Sequence, residues 1–150
     1  MSPRVCLRLP HTKLLPSFVS AHLTAHDYNL ASRIADYHYI VGSLLFPPLP
    51  GSHSDAFTTM YSTSHLFFLG DLNFRLDPPP TSPFAGRANV HRVEAALDTQ
   101  SGREELKEFD QLLQERRKNA IFHGFREAEF WSFKCTYKYN IGEVDKYRFV

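Results

Sequence analysis

A carboxylate and an amide stand two residues apart in the segment Gly70-Asp71-Leu72-Asn73, directly after an apolar run that ends at Leu69. Such a run predicts a strand that is buried on both faces, and the glycine lets the backbone turn where the strand ends. The carboxylate of Asp71 can orient a water molecule, and the amide of Asn73 can donate a hydrogen bond to a phosphoryl oxygen. In-line hydrolysis of a phosphate ester requires both. The alternative is an ordinary polar turn, because Asp and Asn are common turn formers.

Two further polar side chains are candidates for contacts with phosphate. His22 ends a predicted strand over residues 17–22, and an imidazole there can donate to a phosphoryl oxygen. His26 lies four residues further on, but in a chain with eight histidines it is interpreted as a surface residue. Lys138 lies in a predicted strand over residues 135–139, on the face opposite two tyrosines, where it can approach an anion. A solvated lysine on an edge strand is the alternative.

The helices that must support these residues follow from the periodicity of apolar side chains. Helical patterns occupy three segments, residues 27–46, 90–97 and 101–119. In the first, Arg33 and Asp36 fall on the polar face. The third is predicted to begin at a capping box formed by Ser101 and Glu104 and to continue as a single helix. Strands that alternate with helices predict a layered α/β protein, but two or three strands are too few to complete its sheets.

The composition limits the classes of protein and partner. A length of 150 residues with 43% hydrophobic side chains permits a folded domain with a core. Seventeen basic and sixteen acidic residues give a formal net charge of +1, so no global field favours nucleic acid or an anionic membrane. Cys6 and Cys135 show no CxxC spacing, which argues against a zinc site and favours a reducing compartment. No apolar run reaches the roughly 18 residues of a membrane span.

Several segments form, in order, a set of motifs. They are Phe18-Val-Ser-Ala-His22-Leu-Thr-Ala-His26, Gly70-Asp71-Leu72-Asn73-Phe74-Arg75-Leu76, Phe109-Asp110-Gln111-Leu112, Phe125-Arg-Glu127 and Phe133-Lys-Cys-Thr136-Tyr137-Lys138-Tyr139. Together they resemble the inositol polyphosphate 5-phosphatases, of the exonuclease, endonuclease and phosphatase superfamily. The Gly-Asp-Leu-Asn motif is shared with nucleases of the superfamily, whereas its combination with Asp-Gln-Leu and Thr-Tyr-Lys-Tyr points to the inositide branch.

The resemblance implies an α/β (α+β) fold, a four-layer sandwich of two facing β-sheets flanked by helices, which is incomplete at both ends in this chain. Residues 17–150 are predicted to form an internal part of the family's catalytic domain, and residues 1–16 a poorly defined N-terminal segment. The family's metal-binding glutamate has no counterpart before Phe18. Its Pro-Ala-Trp-Cys-Asp-Arg and Ser-Asp-His segments would lie beyond Val150.

The resemblance also implies roles for the candidate residues. Asp71 would activate or orient the attacking water, and Asn73 and His22 would hold the scissile phosphate. Three residues are assigned to substrate binding, Tyr137 and Lys138 through the neighbouring 4-phosphate and Arg75 through support of the active-site loop. No metal ligand is assigned within the chain, although Mg²⁺ is the cofactor that the family implies.

The implied function is hydrolysis of the 5-phosphate of phosphoinositides or soluble inositol polyphosphates by the complete domain. The isolated chain is expected to be inactive, because the glutamate that holds Mg²⁺ is missing. The alternatives are a non-catalytic remnant or phosphoinositide-binding module and, ranked lower, a nuclease, against which the near-neutral charge counts. The expected partner is an inositide rather than a nucleic acid, and the expected location is cytoplasmic, with peripheral membrane contact left open.

Overall fold

The computed structural model describes residues 7–8, 13–48, 51, 53–129, 132–143 and 146–148. The chain divides into two compact units, Met1–Asn73 and Phe74–Val150. Both strands and helices are present, as the sequence predicts. Cys6 and most of the predicted N-terminal segment 1–16 lie outside the described residues. Across the described ranges, no helix combines the length and the apolar character that crossing a bilayer requires.

The first unit contains short strands and one long helix. In chain order, its elements are β1 (Leu7–Arg8), β2 (Lys13–Leu14), β3 (Pro16–His22), α1 (Leu30–Ser43), β4 (Leu45–Phe46), β5 (Thr58–Thr59) and β6 (His65–Asp71). β1 pairs with β2 and β4 with β5, both antiparallel, while β3 and β6 run parallel. The strand predicted up to His22 is confirmed. The helix predicted over residues 27–46 is confirmed as α1, with a 3₁₀ turn at Asp27–Asn29 before it. It ends at Ser43, earlier than predicted, because Leu45–Phe46 pair with β5 as a strand.

The parallel pair β3 and β6 sets the position of the candidate residues. Its register runs from Pro16 opposite His65 to His22 opposite Asp71, so both strands end at the same edge. Gly70 has a φ of +125°, and a Cβ there would lie 2.0 Å from the carbonyl oxygen of Ala21 on β3. The close approach of the two backbones therefore requires glycine at this position.

The prediction that β6 is buried on both faces is wrong. Phe67 and Leu69 are about half exposed, at 49% and 48%. The other face is covered, since the ring of Phe68 lies 6.0 Å from that of Tyr37 on α1. Among the described residues, β6 pairs with β3 alone, so the sheet has only two strands. An apolar run indicates that a strand is suited to burial on both faces. It does not indicate whether neighbouring elements cover those faces.

The core of the first unit lies between the strands and α1. Its buried apolar side chains are Val19, Leu23, Tyr37, Phe46 and Met60. Arg33 is also fully buried, which contradicts its predicted place on a solvated helix face. The reason is local, because its guanidinium donates hydrogen bonds to backbone carbonyls of the loop that follows β3.

The second unit is mainly helical. Its elements are a 3₁₀ turn (Arg87–Asn89), α2 (Val90–Leu97), α3 (Gln100–Lys107) and α4 (Gln111–Arg117). α2 has the bounds that the sequence predicts. Its core joins α2 and α3 through Ala96, Leu97 and Leu106, with Phe84, Val93, Cys135 and Tyr147 packed against them. A Cβ on Gly102 would lie 2.4 Å from the carbonyl oxygen of Ala96, so glycine permits the close approach of the two helices.

The single helix predicted for residues 101–119 is two helices. α3 begins two residues earlier than the predicted capping box, because Thr99 is its N-cap and accepts a hydrogen bond from the backbone nitrogen of Gly102 at 3.0 Å. The chain then breaks before Asp110, which caps α4 through a 2.9 Å bond from the nitrogen of Leu113. Aspartate is a strong N-cap, and it interrupts a run of otherwise good helix formers.

The strand predicted at residues 135–139 is absent. Only Tyr139 forms a β-bridge, with Tyr147, and the two rings stack with their centroids 4.8 Å apart. Tyr137 is 76% exposed, so the two tyrosines do not pack on one strand face as predicted. The segment is instead held by backbone bonds to residues 146–148, including one from the nitrogen of Arg148 to the oxygen of Lys138 at 2.7 Å.

Candidate functional site

His22 and Asp71 lie side by side where β3 and β6 end. The Nε2 atom of His22 is 3.8 Å from Oδ2 of Asp71, and their side chains are 76% and 60% exposed. The pairing continues one residue further through a 3.0 Å bond from the nitrogen of Leu23 to the carbonyl oxygen of Asp71. An exposed pair of this kind contributes little to stability. The carboxyl end of parallel strands is, however, where α/β proteins commonly bind ligands.

Asn73 completes this group of polar side chains. Its backbone has a φ of +56°, a left-handed conformation that asparagine tolerates better than most residues. Its backbone nitrogen donates to Oδ1 of Asp71 at 3.1 Å, and its side-chain Nδ2 donates to the carbonyl oxygen of Leu23 at 2.9 Å. The structure thus places His22, Asp71 and Asn73 together, and the carboxylate and amide are held in a fixed relation.

α1 fixes the loop that follows β3. Oδ2 of Asp36 accepts hydrogen bonds from the nitrogen and the hydroxyl of Thr24, at 2.8 and 2.6 Å. Nη1 of Arg33 donates to the carbonyl oxygens of Thr24 at 3.2 Å and His26 at 2.6 Å. Sequence reasoning missed both residues, because periodicity assigns polar side chains of a helix to solvent. His26 is exposed and stacks on Tyr28, in agreement with its interpretation as a surface residue.

In the second unit, the Asp-Gln-Leu motif anchors the segment that begins at Phe74. The backbone nitrogen of Gln111 donates to the carbonyl oxygen of Arg75 at 3.0 Å, and its side-chain Oε1 accepts from the nitrogen of Arg75 at 3.2 Å. The nitrogen of Asp77 donates to the carbonyl oxygen of Phe109 at 2.8 Å. Gln111 is 2% exposed, so these bonds are shielded from water. The backbone of Arg75 is therefore rigidly held.

Asp110 of the same motif has unusual electrostatics. Burial raises the pKa of Asp110, and the nearby charge of Glu127 acts in the same direction. The backbone bond from Leu113 and the charge of Arg117 oppose these effects but do not cancel them. The carboxylate therefore acts as a helix cap in an environment that penalises its charge.

The two residues assigned to the 4-phosphate lie close to each other in the second unit. The ammonium nitrogen of Lys138 is 5.8 Å from the centroid of the Tyr137 ring, within the range of a cation–π contact. The Tyr137 side chain is exposed. Lys138 is half-buried, and the assignment of these two residues to a phosphate stays a prediction.

The described residues do not form a metal site by themselves. Mg²⁺ is held mainly by oxygen ligands, with carboxylates, water and substrate phosphates in its shell. Of the three side chains that converge, only Asp71 is a carboxylate. Over the ranges that the structure describes, no group of three or more His, Cys, Asp and Glu residues is placed to hold a metal ion.

Comparison with known proteins identifies what the chain resembles. The model of the endonuclease/exonuclease/phosphatase family 2 matches residues 4–148. A type IV inositol polyphosphate 5-phosphatase 11 from Arabidopsis thaliana is 30% identical over 141 residues, which cover 94% of this chain and 36% of that protein. The phosphatidylinositol polyphosphate 5-phosphatase type IV of Rattus norvegicus is 35% identical over 135 residues, 84% of this chain and 19% of that protein.

A solved structure shares the fold. The inositol polyphosphate 5-phosphatase domain of SpSynaptojanin, in complex with inositol (1,4)-bisphosphate and a calcium ion, superposes with a TM-score of 0.63 at 23% identity. The match covers 90% of this chain and 34% of that one. The chain thus spans about a third or less of the length of these relatives. This likeness confirms the predicted α/β fold class. The family model and the two relatives confirm the resemblance that the motifs indicate.

Proposed function

Because the chain belongs to the endonuclease/exonuclease/phosphatase family 2, we propose that it is part of an enzyme that removes the 5-phosphate of phosphoinositides or soluble inositol polyphosphates. The two curated relatives described above are named as 5-phosphatases of such compounds. The observation that carries the proposal is the convergence of His22, Asp71 and Asn73 at the ends of two parallel strands. The chain covers 36% or less of these relatives, which fits an internal part of a longer catalytic domain.

The proposed reaction is attack of water on phosphorus in line with the ester bond to the inositol ring. The carboxylate of Asp71 orients the water and accepts its proton as the new P–O bond forms. An N–H of the Asn73 amide and the imidazole of His22 donate hydrogen bonds to the non-bridging oxygens, where negative charge is concentrated. The bond to the ring oxygen breaks, this oxygen takes up a proton, and inorganic phosphate and the inositol hydroxyl are released.

The proposed cofactor is a divalent cation, Mg²⁺. The solved domain of SpSynaptojanin was crystallised with calcium, which supports a metal-dependent reaction. Such an ion stabilises charge on the phosphoryl group and the leaving oxygen when bound. Asp71 is one carboxylate available for it, and the other ligands are proposed to come from parts of the domain that this chain does not span.

Substrate recognition is proposed to involve Tyr137 and Lys138. The ammonium of Lys138 and the hydroxyl of Tyr137 are suited to a phosphate adjacent to the scissile one, the 4-phosphate of the ring. The inositol (1,4)-bisphosphate bound by the SpSynaptojanin domain carries a phosphate at that position. Arg75 is proposed to support the active-site loop through its backbone, which is hydrogen-bonded to Gln111. A cytoplasmic enzyme with peripheral contact to membranes would meet such substrates.

The test is phosphate release by a protein extended to the length of the family's domain. With Mg²⁺ and an inositide that carries a 5-phosphate, the extended protein should release inorganic phosphate, and the same substrate without the 5-phosphate should not react. A binding module is the second candidate, favoured by the single carboxylate at the described site. Inositide binding without phosphate release would support that module and contradict the hydrolase.

A further inference from the structure

Two charged side chains of α1 contact the loop that follows β3, next to the end of the β3–β6 pair where His22 and Asp71 lie. Arg33 is 0% exposed, and its guanidinium reaches three carbonyl oxygens of the loop, those of Thr24, His26 and Asp27, at 3.2, 2.6 and 3.4 Å. Asp36, one turn further along the helix, binds Thr24 through both the backbone nitrogen and the hydroxyl. The loop between β3 and α1 is therefore tied to the helix at each of these positions.

The burial of Arg33 requires an explanation beyond packing. Removing a guanidinium from water is unfavourable unless hydrogen bonds replace those lost to the solvent, and an apolar side chain would fill the same space without that penalty. Its planar fork, however, presents several donors in a fixed geometry that no apolar side chain and no lysine reproduces. The loop includes His26 in a left-handed conformation, with φ of +76°, which the carbonyl contacts of Arg33 help to hold. The charge is thus used to define the path of the loop.

A continuous series of hydrogen bonds leads from α1 to the proposed water-activating carboxylate. Asp36 holds Thr24, whose peptide nitrogen is bonded directly to the carbonyl group of Leu23. That carbonyl oxygen accepts from the amide of Asn73 at 2.9 Å, and the backbone of Asn73 donates to Asp71 at 3.1 Å. Asp36 of α1 fixes the peptide between Leu23 and Thr24 through its N–H. The carbonyl oxygen of the same peptide then sets the orientation of the Asn73 amide.

We propose that Arg33 and Asp36 are positioning residues, which orient the Asn73 amide toward the scissile phosphate through the carbonyl of Leu23. The expected effect on the reaction rate rests on the proposed function. The relay, meaning the contacts from Asp36 through Thr24, Leu23 and Asn73 to Asp71, does not depend on it. An amide that loses its fixed acceptor can rotate about its side-chain bonds, so its N–H no longer points to one place. Misplacement of a catalytic group by about 1 Å is enough to lower a rate by about a hundredfold.

The relay can be tested on the full chain by NMR, without any substrate. Asp36→Ala should shift the side-chain amide resonances of Asn73 and speed hydrogen exchange of the Thr24 amide by about tenfold, the scale of one lost hydrogen bond. Thr24→Val keeps the shape and the backbone N–H, and should give a smaller change in the same direction. Asp55→Ala removes an exposed carboxylate of the same unit and should change neither signal. An Asn73 amide that does not respond to Asp36→Ala would overturn the inference.

The catalytic consequence is measured in the extended domain. Asp36→Ala and Arg33→Lys should lower kcat by about tenfold to a hundredfold with little change in KM, because the lost alignment matters most in the transition state. Asp36→Asn keeps an oxygen acceptor for Thr24 and should restore most of the rate. Wild-type turnover in Asp36→Ala would overturn the positioning role while the proposed function stood. If the unmutated domain released no phosphate, the proposed function would fail, and the NMR result would still decide the relay.

Discussion

The charge of Asp71 is the single-residue feature on which the proposed hydrolysis depends. Asp71→Asn keeps the size of the side chain and an oxygen that can accept from the nitrogen of Asn73, so the turn after β6 should persist. It removes the proton acceptor for water. We expect kcat of the extended domain to fall by about 10²–10⁴-fold, the range of a general base, with KM changed less. Steady-state phosphate release from an inositide measures both constants.

Asp55→Asn is the matched control for this prediction, because it removes an exposed carboxylate elsewhere in the same unit. Its kcat should equal that of the unmutated domain. Should Asp71→Asn also retain full turnover, Asp71 would be only a turn former, and the polar-turn alternative for residues 70–73 would be correct.

Lys138 provides a second prediction at the residue scale. Hydrogen bonds to charged groups contribute roughly 1.5–3 kcal/mol, so Lys138→Ala should lower kcat/KM by about tenfold to a hundredfold on substrates with both a 4- and a 5-phosphate. An inositide with a 5-phosphate and no 4-phosphate offers the ammonium no partner, and its kcat/KM should change little. Lys134→Ala, at an exposed lysine of the same segment, serves as the control variant. Equal losses on the two substrates would remove Lys138 from 4-phosphate recognition.

At the scale of elements, the start of α4 yields a prediction about stability. Asparagine is as good an N-cap as aspartate, whereas alanine cannot accept the bond from Leu113. We expect Asp110→Ala to lower the free energy of unfolding by about 1 kcal/mol. Asp110→Asn should keep or raise it, because the amide does not carry the charge that burial penalises. Urea denaturation of the chain at neutral pH compares the two variants.

The stability difference between Asp110→Asn and the unmutated chain should also depend on pH, in a direction that the raised pKa of Asp110 determines. Because burial raises the pKa of Asp110 in the folded state, the folded chain holds its proton more tightly than the unfolded chain. The contribution of Asp110 to stability therefore falls as pH rises from the ordinary range of an aspartate through the raised pKa. The advantage of Asp110→Asn over the unmutated chain should grow across that window. An advantage that is constant with pH would show that the carboxylate is not penalised by burial.

Elements that depend on their own sequence were predictable, and those that depend on remote partners were not. α1 and α2 follow from apolar periodicity, and β3 from its β-forming residues. The division between α3 and α4 was not predicted, because good helix formers surround Asp110 and hide its capping role, and because the β-bridge from Leu76 to Asp110 is a remote contact. The exposure of Phe67 likewise depends on which strands cover β6, and no local pattern carries that information.

The same distinction applies to the candidate site. His22, Asp71 and Asn73 were predicted from their residue types together with the resemblance to the family, and the parallel register of β3 and β6 brings His22 and Asp71 to the same edge. Arg33 and Gln111 were missed as supporting residues, since a charged or polar side chain on a helix is usually solvated and periodicity places it outside. Their burial and backbone contacts become visible only in the folded chain.

At the scale of the whole molecule, the fraction of the domain that the chain represents determines what it can do alone. The chain covers 34% of the SpSynaptojanin domain chain, and its described site contributes one carboxylate. Mg²⁺ is usually held through one or two carboxylates together with waters and substrate phosphates, so a single carboxylate is the minimum that such a site uses. Phe67 and Leu69 are half exposed and leave part of β6 accessible to water.

We therefore expect the 150-residue chain, supplied with Mg²⁺ and a 4,5-bisphosphorylated inositide, to release no more phosphate than its own Asp71→Asn variant. The extended domain, assayed at the same concentration, should show release that the Asp71→Asn change removes. Comparison with the variant excludes a contaminating phosphatase, because only turnover by this site depends on Asp71. Release by the chain alone that requires both Asp71 and Mg²⁺ would contradict the prediction, since it would mean that these residues assemble a working metal site without the remainder of the domain.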